Sequence, residues 1–267
     1  MAVAAGLGHP ARHRPGPCGG PVRGATLPIM LVAAAVCPCP PLLVPEVAAG
    51  AAPELEEARA ACTDALGVLA ASRPDLLVAV GAGERPGRVA YPEGSRGSFR
   101  GFGVPLDVRL GGGADAPGPE GGLPAPLAVG AWLLGRTGWS DAPVEGLAVG
   151  AATAPEECAA TGRDLAARSG RVALLVMGDG SACRSLKAPG YLDERAEPFD
   201  AEAARALGAA DLTGLAALDA RLAGELKASG RAPWQVLAGA AEGAGLSGAL
   251  LYDDAPYGVG YLVATWS

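Results

Sequence analysis

Histidine is nearly missing from this sequence. The 267 residues contain two, His9 and His13, and from residue 14 onward there is no imidazole. Histidine is the commonest metal ligand and the usual general base near neutral pH, so the body of the chain has no means of building a His-rich zinc or iron centre, a Ser-His-Asp triad or a Cys-His pair. Aromatic residues are also scarce, at 4%, which leaves the core to be packed with Ala, Val and Leu. Lysine is confined to Lys187 and Lys227, and the formal charge is −7. A surface of that sign repels phosphate backbones, so nucleic acid is not an expected partner. No proline-free apolar run approaches the ~20 residues that a membrane span requires, so no membrane association is expected. Six scattered cysteines fit a reduced, cytoplasmic protein better than a secreted disulfide scaffold.

What is present is enough to fold. Half of the residues are hydrophobic, and 41 glycines and 24 prolines are interspersed with periodic apolar segments, which points to many turns rather than to disorder. Residues 1–29 stand apart. They are rich in Gly, Pro and Arg, carry Arg12, Arg14 and Arg23 without a single acid, and show no periodicity. They read as a disordered leader or a translation from an upstream start, with Met30 as the natural beginning; a secretory-signal reading would discard a strand that the fold needs. Residues 30–267 read as one domain.

From Met30 to Val36 an apolar run of strand length meets the proline-rich segment Cys37-Pro38-Cys39-Pro40-Pro41-Leu42-Leu43-Val44-Pro45-Glu46. Proline fixes φ and lacks an N–H, so the strand has to end there. Pro53 to Ala70 carries acids in its first turn and Leu55, Cys62, Leu66 and Leu69 at helical spacing. Leu76 to Val80 is a second short apolar strand, which completes a βαβ unit and implies parallel pairing. Residues 86–122 are a Gly- and Pro-rich stretch with a short strand near Val104 to Leu110, of a kind often used as a lid or insertion. Helices are expected from Leu123 to Arg136, from Thr153 as cap to about Arg168, over much of Asp200 to Ala228 with a break near Gly208 to Gly214, and from Pro233 to Gly243. Further strands are expected at Val144 to Val149, Val172 to Met177, Ala249 to Tyr252 and Tyr261 to Thr265. The fold class is therefore α/β, a central mostly parallel sheet with helices on both faces.

In such a sheet ligands bind at the carboxyl ends of the strands. That rule brings three loops to one edge, and with them Cys37, Cys39, Glu46, Glu84, Arg85, Asp179, Ser181 and Cys183. Each has a plain structural reading as well: Asp179 as a turn former, Glu46 as a helix cap, Cys37 as a buried thiol. Gly81-Ala82-Gly83 lacks the third glycine of a dinucleotide fingerprint, and Pro86 would interrupt the helix that should hold a pyrophosphate.

Several pieces, in order across residues 30–267, resemble the class III extradiol ring-cleavage dioxygenase family and its bacterial relatives. They are Pro38-Cys39-Pro40-Pro41, where that family has Pro-His-Pro-Pro; Pro74-Asp75 with its strand; Gly178-Asp179-Gly180-Ser181, where it has Gly-Asp-x-Ser-His; Phe199-Asp200; and Tyr257-Gly258-Val259-Gly260-Tyr261. The resemblance implies an α/β fold of the extradiol dioxygenase type with a mononuclear ferrous site, held by two histidines and a carboxylate, that binds a catecholate and dioxygen, with a further histidine as acid/base. This chain departs at each of those positions. The first histidine corresponds to Cys39, the second to Gly83 and the one after Gly-Asp-x-Ser to Ala182, while the last ligand region, before Gly230-Arg231, offers Ala228 and Ser229. Glycine and alanine side chains neither coordinate a metal nor move a proton.

The expectation is therefore a dioxygenase-like protein without the Fe(II) cofactor of its relatives. It would act by binding a small aromatic or other small-molecule ligand, or by regulation, with Cys39, Glu46, Asp179, Ser181 and Cys183 as pocket residues. The alternative is an oxidoreductase with altered metal or thiol chemistry centred on Cys39, with Cys183 as a second thiol. A third class, a structural role as a homo-oligomer, has no positive feature in the sequence.

Overall fold

The computed structural model describes residues 1–4, 6, 30–116 and 118–267. The expected leader, with His9 and His13, lies outside the described residues apart from its first few positions. The main sheet has seven strands, β1 (Met30–Cys37), β2 (Leu76–Gly83), β3 (Arg88–Tyr91), β6 (Val144–Gly150), β7 (Arg171–Met177), β8 (Gly248–Asp254) and β9 (Tyr261–Trp266), in the order β3-β6-β2-β7-β1-β9-β8. The central four, β6, β2, β7 and β1, are parallel, and the outer strands β3, β9 and β8 are antiparallel to their neighbours. A separate hairpin pairs β4 (Arg96–Ser98) with β5 (Asp107–Arg109).

The parallel strands are buried on both faces, which is why they read as continuous Ala/Val/Leu runs rather than as alternating ones. Their side chains divide between two layers. Leu31, Val36, Val78 and Leu174 face one cluster; Ala33, Ala35, Leu77 and Leu175 face the other. Against the second layer lie α2 (Glu56–Ala71) and α3 (Ala125–Thr137). Against the first lie α4 (Pro155–Ala166), α5 (Ala196–Gly208), α6 (Leu212–Ala216), α7 (Ala220–Glu225) and α8 (Arg231–Ala240). The pair α4–α8 is packed on small residues: a Cβ on Gly162 would lie 2.0 Å from the Val236 carbonyl oxygen, and one on Gly239 would lie 2.1 Å from that of Ala159. Leu, Val and Ala dominate both layers, as the shortage of aromatics requires, although Trp234 and Trp266 are fully buried.

Several local expectations are revised. The helix expected from Pro53 starts at Glu56, after α1 (Pro45–Ala48) and a 3₁₀ segment, Ala49–Leu55, that ends on the prolyl turn. Glu46 is in the first turn of α1 and exposed, and the residue at the cap is Val44. Thr153 does not cap α4. Ala154 occupies that position without a side-chain bond, and the Thr153 hydroxyl is buried without a partner. The cause lies in the preceding loop, whose carbonyls at Ala151 and Thr153 are held by the buried Arg231 guanidinium. The stretch expected to be helical from Asp200 to Ala228 is three helices, the last two capped by Asp211 and Asp219. Strands β3 and β4 have no apolar run to announce them.

Among the described residues no helix is long and apolar enough to cross a membrane.

Candidate functional site

The carboxyl ends of β1, β7 and β2 lie side by side because β7 sits between the other two. Beyond Cys37 the prolines of 38–41 hold the chain extended, so the Cys39 N–H is free of any ladder. It donates instead to Asp179 Oδ1 at 2.7 Å. The Cys39 thiol donates to the other carboxylate oxygen, Oδ2, at 3.6 Å, and lies 3.8 Å from Ser229 Oγ. Ser229 is fixed in turn by the Asp179 N–H, which donates to its hydroxyl at 3.0 Å, and by Gly230 N–H, which donates to the Asp179 carbonyl at 2.8 Å. This clasp draws the end of β7 onto the start of α8 so closely that a Cβ on Gly178 would lie 2.4 Å from the Gly230 Cα. Tyr261 completes the group. The antiparallel register sets Val36 opposite Ala264, and carried three residues further it sets Tyr261 opposite Cys39.

The electrostatics follow from burial. Asp179 is half-buried, and desolvation pushes its carboxyl up from 3.8 to about 6, against the lowering effect of the bonds from the Cys39 N–H and thiol. The Cys39 thiol is only 5% exposed, and it is raised well above its ordinary value by burial and then by the Asp179 charge. It is a neutral thiol at neutral pH and a poor nucleophile. Burial likewise raises the Tyr261 phenol, with the neighbouring Asp179 and Cys39 adding to the effect. The result is one carboxylate, poised near neutrality, that faces outward among a neutral thiol, a hydroxyl and a phenol.

Not every residue expected at the edge joins this group. Ser181 is fully buried and bonded to Asp200, its N–H at 2.6 Å and its hydroxyl at 2.7 Å. Asp200, 1% exposed, also receives Arg184 at 3.3 Å; the three fix the loop after β7. Cys183 is buried in the opposite layer from Cys39, with its thiol directed to the Leu226 carbonyl at 3.5 Å. Glu46 stays at the surface of α1. Gly83 ends β2, and Glu84 and Arg85 are exposed beyond it, on the wall of a cavity of about 320 Å³. Two members of the group are not candidates from the sequence. Ser229 stands out there only as a replaced position, and Tyr261 depends on β9 lying beside β1, which no local pattern announces.

The donor set can be compared with ferrous iron. A facial site needs three ligands, for which imidazoles and a carboxylate are the usual choice. Here Gly83 and Ala182 offer none, Ser229 offers a neutral hydroxyl, and Cys39 a protonated thiol already bonded to the single carboxylate. Among the described residues no group of three or more His, Cys, Asp or Glu side chains is placed to hold a metal. The residues present do not fit the iron.

No protein-family model matches the chain, and no curated protein matches it. A solved chain, an uncharacterized protein from Escherichia coli K12, is similar in structure, with a TM-score of 0.55 at 14% identity over 88% of this chain and 100% of that one. At that identity the likeness shows a shared fold and nothing about activity.

Proposed function

We propose that this chain is a class III extradiol dioxygenase-like protein that has lost the ferrous centre and retains the carboxyl edge of its sheet as a binding site for a small hydroxylated, aromatic ligand. One observation carries the reading. Cys39 and Ser229, at positions where the resemblance calls for iron-binding histidines, meet each other and Asp179. The converging geometry of a ligand-holding centre is kept while its metal-binding chemistry is replaced.

In that setting Asp179 is the recognition group. Its two oxygens each accept one bond from Cys39 and keep a further lone pair, so a ligand hydroxyl donates to the carboxylate. Tyr261 and the Ser229 hydroxyl supply the remaining polar contacts, and the proline-rich segment after β1 forms a stiff wall. Binding of a hydroxyl donor weakens as pH falls through about 6 and Asp179 takes up its proton.

The test uses catechol as the probe. Stoichiometric Fe(II) added anaerobically should show no saturable tight binding, and later addition of catechol and oxygen should give no ring-cleaved product. Catechol alone should raise Tm saturably in the wild type, by linkage to the native state, and much less in Asp179→Asn. Tight 1:1 iron binding with catechol cleavage overturns the proposal, as does catechol stabilisation that is equal in the variant.

A further inference from the structure

The cavity beyond Gly83 lies on the same edge but on the far side of β2, away from Asp179. It is about 320 Å³ and is enclosed by Gly83 to Arg85 at the end of β2, by Val89 and Tyr91 of β3, by Phe102 after the β4 strand, and by the start of α3. Much of its wall comes from the Gly- and Pro-rich stretch in which the sequence shows only a lid or insertion.

Three features of its wall bear on what it holds. Tyr91 is 6% exposed and lines the cavity, yet its hydroxyl has no hydrogen-bond partner among the described residues. A buried phenol normally finds one. Its neighbour there is Arg85, whose charge lowers the phenol against the raising effect of burial. Arg85 spends one donor on the Glu120 carbonyl at 2.9 Å, which leaves most of its five N–H groups free. Finally, α3 begins at Ala125 with no side-chain cap and no acid in its first turn, so the Ala125 amide and the positive end of a thirteen-residue helix face the same space. Opposite this polar end, Val89, Phe102, Leu123 and Pro124 form an apolar wall.

We infer that this cavity is a binding site for a small organic carboxylate with an apolar body, its carboxylate held by the Tyr91 hydroxyl, Arg85 and the amino end of α3. Glu84 and Glu120 also border the cavity. With one guanidinium against two acids, a singly charged carboxylate is accommodated where a doubly charged phosphate is repelled. The site is independent of the Asp179 group, because β6, β2 and β3 build it while β7, β1 and β9 build the other.

Benzoate, benzamide and inorganic phosphate serve as probes, titrated at constant ionic strength against the full chain by calorimetry and thermal shift. Benzoate should bind saturably, and benzamide and phosphate at least about tenfold more weakly. Tyr91→Phe and Arg85→Gln should each weaken benzoate about ten- to a hundredfold, the loss expected for one hydrogen bond to a charged group. Arg163→Gln, which removes an equal charge at an exposed pair with Glu242 on the α4 side, should leave it unchanged. Circular dichroism checks that each variant is folded, and Tyr91→Phe keeps the buried ring. No saturable benzoate binding, equal binding of benzamide, stronger binding of phosphate, or benzoate affinity retained in both site variants overturns the inference.

Discussion

Replacing Asp179 by asparagine should change not only the stability of the protein but the way that stability depends on pH. In the folded chain the carboxyl titrates near 6 rather than 3.8. Between those values the folded state holds a proton that the unfolded state has released, so unfolding releases a proton and stability falls as pH rises from about 4 to about 6, then levels off. A shift of about two units corresponds to about 3 kcal/mol, and partial solvent access trims this to about 2 kcal/mol. Asp179→Asn removes the titration and keeps an oxygen to accept the Cys39 N–H. Urea unfolding of both proteins at pH 4, 5, 6 and 7 therefore has a defined outcome. The variant's stability relative to wild type should rise by about 2 kcal/mol from pH 4 to pH 7. Other carboxylates titrate in both proteins, and their contributions cancel in the difference. A difference that stays flat, or that falls with pH, would refute the account of Asp179 as a desolvated carboxyl.

Three other perturbations read neighbouring parts of the same edge. Cys39→Ala removes the thiol donor but keeps the N–H, so the Asp179 midpoint should move above 6, measured by carbon-13 NMR of the carboxyl; a midpoint that moves down contradicts the bonding described. Gly178→Ala places a methyl against the Gly230 backbone, where a Cβ lies 2.4 Å from the Cα, and should cost about 3 kcal/mol in urea unfolding. A near-neutral result would mean that the β7–α8 clasp is loose. Arg231→Met strips the donors from the Ala151 and Thr153 carbonyls and from Gln235 Oε1, and should cost about 2–4 kcal/mol because buried acceptors are left unpaired. Retention of wild-type stability would place those carbonyls in solvent.

Much of the frame is legible in the residues themselves. Apolar runs of strand length at 30–36, 76–80, 144–149 and 172–177 mark strands buried on both faces, since only such strands can be apolar without alternation. Prolines and glycines mark where they stop, because proline ends hydrogen-bonded pairing and glycine allows tight turns. The rule that ligands gather at the carboxyl ends of parallel strands is enough to bring Cys39 and Asp179 to one edge. The absence of imidazole after residue 14 is likewise a property of composition that no folding can alter.

Tertiary structure decided the rest, since partners distant in sequence have no local signature. Cys39 and Asp179 are 140 residues apart and Asp179 and Ser229 are 50 apart, and their contact follows from β7 lying between β1 and β2 and from the docking of α8. Tyr261 enters because β9 runs antiparallel beside β1. Ser181 is withdrawn by the burial of Asp200, and Cys183 is turned into the other layer, although both stand within four residues of Asp179. The cavity around Tyr91 depends on an edge strand of four residues that pairs only because β6 offers it a free side. Sequence sets which groups are available to this protein, and packing sets which of them face each other.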